Sequence, residues 1–256
     1  MIPCLAENER HGARAFFLPP QTTVHMTWVK ICGTTNLEDA LTAVEAGADA
    51  VGFVFYDKSP RNISVEMARE IVEKLPGEVE KVGVFAGDSI EGAVETGRQA
   101  GFDALQIYLP TYRKSEAEGD LHARATGNGG LRTYLALPVT VFLGAGSKNV
   151  AGFRKERPAG VFDTLVLDSG STQQPGGTGK VFDWHEAAGA VEDLRRHQKI
   201  VIAGGLTAAN VAEAIGILKP WGVDVVSGVE ASPGKKDPEK VRAFVKAVRE
   251  IDTEIS

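Results

Sequence analysis

Basic excess and long apolar runs are missing from this chain, and cysteine is scarce. Its 256 residues carry 28 Lys and Arg against 34 Asp and Glu, for a formal net charge of −6. A nucleic-acid-binding protein normally shows a basic face, so no nucleic-acid partner is expected. An anionic small molecule is still open, because it needs only local donors. The only cysteines are Cys4 and Cys32. Their spacing makes neither a disulfide framework nor a zinc site, and a reducing cytoplasm is their simplest setting. His11, His25, His122, His185 and His197 are scattered without ligand spacing, so no metal is expected. No apolar run approaches the roughly 20 residues of a membrane-spanning helix, so no membrane partner is expected. Ala15-Phe16-Phe17-Leu18 is too short for a signal-peptide core.

What the chain does have is material for a large core, with 43% hydrophobic and 24% charged residues. Its length fits one α/β barrel or two ordinary domains. Residues 1–25 hold no sustained periodicity. They are expected to form a poorly ordered extension, or to precede a true start at Met26. From residue 26 to 256 short β-rich runs alternate with helical patterns, as in a parallel sheet covered by helices. The strands read as 28–32, 50–55, 80–85, 103–108, 133–143, 163–167, 199–203 and 223–227. That count predicts a single-domain TIM (β/α)8 barrel. Runs such as Ala50-Val51-Gly52-Phe53-Val54-Phe55 are apolar throughout, as strands buried on both faces must be.

Asn36, Ser64 and Thr207 are expected to open helices, and Asp237-Pro238 to start the last one. Gly47, Pro76-Gly77 and Pro220 are expected to end them. Residues 109–130 and 144–160 give no good amphipathic pattern. The fourth and fifth α segments are therefore expected to be short, irregular or replaced by loops.

The chemistry concentrates at strand tips, which is where a TIM barrel carries its active site. Cys32 ends the first strand and is followed by Gly33. A free cysteine also packs well as a small hydrophobe, but at this position a reactive thiol is the stronger reading. Lys30 shares the strand parity of Cys32, which predicts an inward ammonium that lowers the thiol pKa. Asp168 ends the sixth strand. It suits a general acid whose pKa burial raises, or else a cap or turn former. Arg61 suits a bidentate grip on a carboxylate, or else a solvated surface position. Gly204-Gly205 and Ser227-Gly228 follow the seventh and eighth strands. There glycine lets backbone N–H groups approach phosphate, and two such turns in adjacent loops favour a ligand over plain turns. Gly176-Gly177-Thr178-Gly179-Lys180 fails as a P-loop, because Gln174 and Val181 stand at required positions, and it reads as a mobile loop. This layout points to an enzyme acting on a phosphorylated small molecule.

Several segments resemble the phosphoribosylanthranilate isomerase family. They include Val29-Lys30-Ile31-Cys32-Gly33, Gly47-Ala48-Asp49-Ala50-Val51-Gly52-Phe53, Leu167-Asp168-Ser169, Ala203-Gly204-Gly205-Leu206 and Val223-Asp224-Val225-Val226-Ser227-Gly228-Val229-Glu230. Pro233-Gly234-Lys235-Lys236-Asp237 completes the set. The stretch 109–160 matches the family poorly, and at strand four the family usually has Gln-Leu-His-Gly where this chain reads Gln106-Ile107-Tyr108-Leu109.

The resemblance implies an Amadori rearrangement of N-(5-phosphoribosyl)anthranilate. In it Asp168 protonates the ribose ring oxygen and Cys32 takes the C2′ proton. Arg61 would hold the anthranilate carboxylate, and Asp224 would contact the sugar. The backbone around Gly204, Gly205, Ser227 and Gly228 would hold the phosphate. It implies no cofactor, because the substrate's own nitrogen is the electron sink. The expected partner is the phosphorylated substrate, with the chain a monomer or homodimer.

Two related enzymes compete. The histidine-pathway isomerase resembles a half-barrel repeat and uses aspartate where Cys32 stands. Indole-glycerol-phosphate synthase has a lysine and glutamate pattern not evident here. A non-catalytic sugar-phosphate-binding barrel is the rival from another class, and it would need neither Cys32 nor Asp168.

Overall fold

The computed structural model describes residues 26–87, 89–108, 130–143, 147–156, 162–170 and 181–254. The expected N-terminal extension, the fourth α segment and the Gly176–Lys180 loop lie outside them.

Eight parallel strands close into a barrel, as the alternation predicts. They are β1 (Trp28–Ile31), β2 (Ala50–Phe55), β3 (Glu80–Ala86), β4 (Ala104–Tyr108), β5 (Arg132–Pro138), β6 (Thr164–Asp168), β7 (Lys199–Ile202) and β8 (Gly222–Val225). Closure comes from β1 on β8, where Lys30 lies opposite Asp224. Strand alternation then sorts the side chains into two cores. Outward residues such as Ile31, Phe53, Leu105 and Leu165 meet the surrounding helices. Inward residues are mostly small, among them Ala50, Ala104, Ala136 and Ala203, because little space lies inside the barrel.

The N-terminal end of the barrel is plugged. Trp28 stacks on Trp221 at 5.0 Å between ring centroids and meets Tyr134 edge-on. The Tyr134 hydroxyl donates to Glu80 at 2.6 Å, and Arg132 pairs with the same carboxylate at 3.0 Å. Chemistry is left to the opposite end.

Asn36 caps the helix Leu37–Glu45 by accepting from Asp39 N–H, and Gly47 follows it with φ +89°. Ser64 caps Val65–Val72, and Pro238 opens the last helix, Pro238–Glu254. Three expectations are corrected. The helix Val65–Val72 ends before Pro76-Gly77, unwinding through turns at residues 73–74. The helix after β7 starts at Val211 rather than at Thr207. The Asn210 carboxamide accepts from Thr207 N–H and donates to Gly205 O, which holds the preceding turn in its own shape. The apolar run 133–143 is not one strand: β5 stops at Pro138 and a 3₁₀ turn, Val139–Val141, follows. A fourth expectation is corrected as well: the fifth α segment is neither irregular nor a loop but a helix, Ser147–Glu156, longer than Leu37–Glu45 or Val65–Val72.

One feature is absent from the sequence reading. After β8 a 3₁₀ turn (Ser227–Val229) leads into a small antiparallel hairpin, β9 (Glu230–Ser232) and β10 (Lys235–Lys236). Gly234 turns it at φ +83°. The hairpin folds back over the tip of β1, because Lys236 Nζ donates to the Cys32 carbonyl at 2.5 Å.

Candidate active site

The open end of the barrel is built from the turns that follow β1, β6, β7 and β8. Cys32 sits one residue past β1, and its N–H continues the ladder by donating to Val225 O at 2.9 Å. Its side chain is 3% exposed. It lies over Gly52 of β2 so closely that a Cβ there would fall 2.6 Å from Cys32 Sγ. Gly52 is therefore what makes room for the thiol.

Lys30 points inward, as its parity with Cys32 predicts, and is wholly buried. Its ammonium is 2.9 Å from Asp224 Oδ2 and donates to Gln106 Oε1 at 2.9 Å. Burial disfavours its charge, but Asp224 and Cys32 outweigh that and hold its pKa above the ordinary value. The expectation that Lys30 lowers the thiol pKa is half right. Burial is the largest influence on Cys32 and pushes the thiol up. Lys30 and Lys236 pull it down, Asp224 pushes it up, and the net direction is upward. A buried thiolate loses its hydration, and one ammonium already committed to a carboxylate does not replace it.

Asp168 is the last residue of β6 and is 5% exposed. Burial raises its pKa, and Asp224 adds to that. The Gly170 N–H, the Tyr108 hydroxyl and Lys30 oppose it. Gly170 N–H donates to Oδ1 at 2.5 Å, and Tyr108 OH donates to Oδ2 at 3.2 Å. A carboxyl raised by burial keeps its proton at higher pH, which is the condition set on an acid at this position.

The glycine turns interlock. A Cβ on Gly204, whose φ is +90°, would fall 2.1 Å from Ser169 Oγ, so the turn after β7 packs directly on the turn that carries Asp168. A Cβ on Gly228 would fall 1.9 Å from Leu206 O. The loop Gly204-Gly205-Leu206 and the turn at Ser227-Gly228 are thus in backbone contact and form one surface.

Arg61 is brought to the same end, but already paired. Its Nε and Nη2 donate to the two oxygens of Glu230 at 2.9 and 2.7 Å. Lys236, 1% exposed, lies 3.3 Å from the same carboxylate. Burial raises the Glu230 pKa, yet Arg61 and Lys236 together hold it below the ordinary value. Glu230 and Lys236 are the charged neighbours of this end that sequence reasoning missed. They stood inside the quoted segments, and only their separation from Arg61 and Cys32 hid the pairing.

Asp224 of β8, opposite Lys30, is buried at 4% exposure. Its Oδ1 and the hydroxyl of Thr34 find no hydrogen-bond partner among the described residues. Also among the described residues, no group of His, Cys, Asp and Glu fit to hold a metal forms, and no helix is long and apolar enough to cross a membrane. A groove of about 600 Å³ opens beside the site between the loops after β2 and β3, lined by Phe55, Phe85, Lys58 and Asn62. Neither Cys32 nor Asp168 lines it.

Known proteins resemble this chain over most of its length. The family described as N-(5'phosphoribosyl)anthranilate (PRA) isomerase matches residues 29–117 and 137–247. The N-(5'-phosphoribosyl)anthranilate isomerase of Rubrobacter xylanophilus is 42% identical over 224 residues, covering 88% of this chain and 100% of that one. The crystal structure of phosphoribosyl anthranilate isomerase from Thermotoga maritima superimposes with a TM-score of 0.72 at 36% identity, over 88% of this chain and 100% of that one. A phosphoribosyl anthranilate isomerase in complex with reduced 1-(o-carboxyphenylamino)-1-deoxyribulose 5-phosphate superimposes with a TM-score of 0.69 at 35% identity, over the same shares.

Proposed function

The chain belongs to the N-(5'-phosphoribosyl)anthranilate isomerase family and is an isomerase of tryptophan biosynthesis; we propose that Asp168 is its general acid and Cys32 its general base. One observation carries this reading. A carboxyl whose pKa burial raises and a thiol acted on by two lysines stand at one end of one barrel, and the Lys30–Asp224 pair acts on both.

The reaction follows from these positions. Asp168 gives its proton to the ribose ring oxygen as the C1′–O bond breaks, and the substrate nitrogen forms a Schiff base with C1′. The carboxylate left behind keeps its bonds from Gly170 N–H and Tyr108 OH. The Cys32 thiolate then removes the C2′ proton, and the electron pair moves toward the cationic nitrogen to give an enolamine. Tautomerisation shifts a proton from the C2′ hydroxyl to C1′ and leaves the ketone. One proton has then passed from acid to base, and solvent restores both groups. The active form therefore holds its proton on Asp168 and not on Cys32. Burial favours the first condition, and Lys30 with Lys236 favours the second.

Around this centre, the N–H groups of Gly204-Gly205 and Ser227-Gly228 hold the phosphate. Arg61, fixed by Glu230, presents its guanidinium edge to the anthranilate carboxylate. Asp224 Oδ1, without a protein partner among the described residues, accepts from a sugar hydroxyl.

The test is a fluorescence assay in which phosphoribosylanthranilate is generated in situ and its decay followed. Wild type should consume it far faster than the spontaneous rate, with Cys32→Ala and Asp168→Asn both losing that rate. A variant that is folded and still as fast as wild type removes its residue from the mechanism.

A further inference from the structure

Tyr108 is the last residue of β4 and points inward with Gln106, two residues earlier on the same face. Its hydroxyl donates to Asp168 Oδ2 at 3.2 Å. The contact spans a strand, because β5 lies between β4 and β6. In the β4–β5 ladder Tyr108 pairs with Ala136, and in the β5–β6 ladder Asp168 pairs with Pro138. Ala136 faces the barrel interior and is fully buried. Its single methyl group leaves the phenol room to pass over β5, so the ring length of a tyrosine matches the gap to the carboxyl.

We propose that Tyr108 is a positioning residue of the isomerase reaction, holding the Asp168 carboxyl through Oδ2 in the orientation from which its proton leaves. The proposal rests on Asp168 being the acid. The two oxygens of Asp168 are not equivalent. Oδ1 already accepts from the Gly170 N–H, a donor that cannot reverse. The transferable proton is therefore on Oδ2. A hydroxyl is the one kind of partner that serves that oxygen in both states, since it accepts from the protonated acid and donates to the carboxylate.

Tyr108 does not supply the proton itself, because burial and the nearby Asp168 push its own pKa well above the ordinary phenol value. It acts on the acid alone, by stabilising the carboxylate formed when the ring opens. Among the described residues, the other charged groups that act on Asp168 are Asp224 from β8, which raises its pKa, and Lys30 from β1, which lowers it. Neither is hydrogen-bonded to the carboxyl. Tyr108 is the side chain whose removal changes a direct bond to Oδ2.

Tyr108→Phe separates this role from simple packing, because it keeps the ring and removes only the hydroxyl. An ordinary carboxyl titrates far below an ordinary thiol, so the acidic limb of the rate profile is assigned to Asp168. Loss of the Tyr108 bond should move that limb to higher pH by about one unit. Compared below that limb, where the carboxyl is protonated in both proteins, kcat should fall by roughly tenfold while KM stays within about twofold. The melting temperature checks that the variant is folded. Asp168→Asn is measured beside it. Full turnover in Asp168→Asn removes the acid and this inference with it. Loss of turnover there, with kcat and the acidic limb unmoved in Tyr108→Phe, overturns the tyrosine's role alone.

Discussion

Gly52→Ala is the sharpest structural test of the thiol's position. The added methyl would sit 2.6 Å from Cys32 Sγ, 3.1 Å from its Cβ and 3.2 Å from its Cα. Comfortable non-bonded contacts begin at about 3.5 Å, so the sulfur has to retreat by roughly an ångström. Overpacking of this kind costs about 1–3 kcal/mol. For a chain of this size that is a drop of about 2–4 °C in melting temperature per kcal/mol. In a Cys32→Ala background the 2.6 Å contact disappears and the nearest remaining atom is 3.1 Å away. Most of the penalty should go with it.

A double-mutant cycle over wild type, Gly52→Ala, Cys32→Ala and the double variant should therefore show a coupling of about 1–2 kcal/mol. Independent sites add within about 0.3–0.5 kcal/mol. Urea or thermal melts read it without any substrate. The same displacement should lower kcat by about a hundredfold, the usual consequence of moving a reacting group by an ångström. Additive stabilities, or full turnover in Gly52→Ala, would refute the packing of thiol on glycine and with it the geometric basis for the base.

Asp168→Asn has a stability signature as well. Burial raises the carboxyl's folded pKa above its unfolded value. The wild-type stability linked to it is thus fully present below the unfolded pKa and lost as pH rises through the folded one. The amide mimics the neutral acid, so melts should nearly coincide at about pH 4 or below, and the variant should be the more stable at about pH 8. Equal melts at both would show that the carboxyl is not raised. Lys236→Met should cost about 1–3 kcal/mol, since it removes a buried donor from the carbonyls of Cys32 and Val226 while Glu230 keeps its bonds from Arg61. A denaturation midpoint within error of wild type would show that the hairpin is not held this way. Arg61→Lys loses the two-pronged bond to Glu230, because an ammonium cannot reproduce the guanidinium fork. It should raise KM about tenfold with a smaller change in kcat, and an unchanged KM would place the substrate carboxylate elsewhere.

What could be read from the sequence is local. Apolar runs of strand length separated by capped helices fix an alternating parallel sheet, and eight of them suit a closed barrel. Cys32 and Asp168 stood out because each ends such a run, and Gly204-Gly205 because each begins a turn. The inward direction of Lys30 followed from strand parity alone.

What the tertiary structure decided is every pairing across the chain. Arg61 meets Glu230 169 positions away, Tyr108 meets Asp168 60 positions away, and Lys236 meets Cys32 204 positions away. Those distances are set by barrel closure and by the hairpin after β8, and no local pattern encodes them. The thiol's pKa belongs with these. A lysine two residues from Cys32 predicts a lowered value, but the outcome depends on how much water remains and on how far Asp224 has already claimed the ammonium. Both are properties of the closed barrel interior, and there burial outweighs the neighbouring charge.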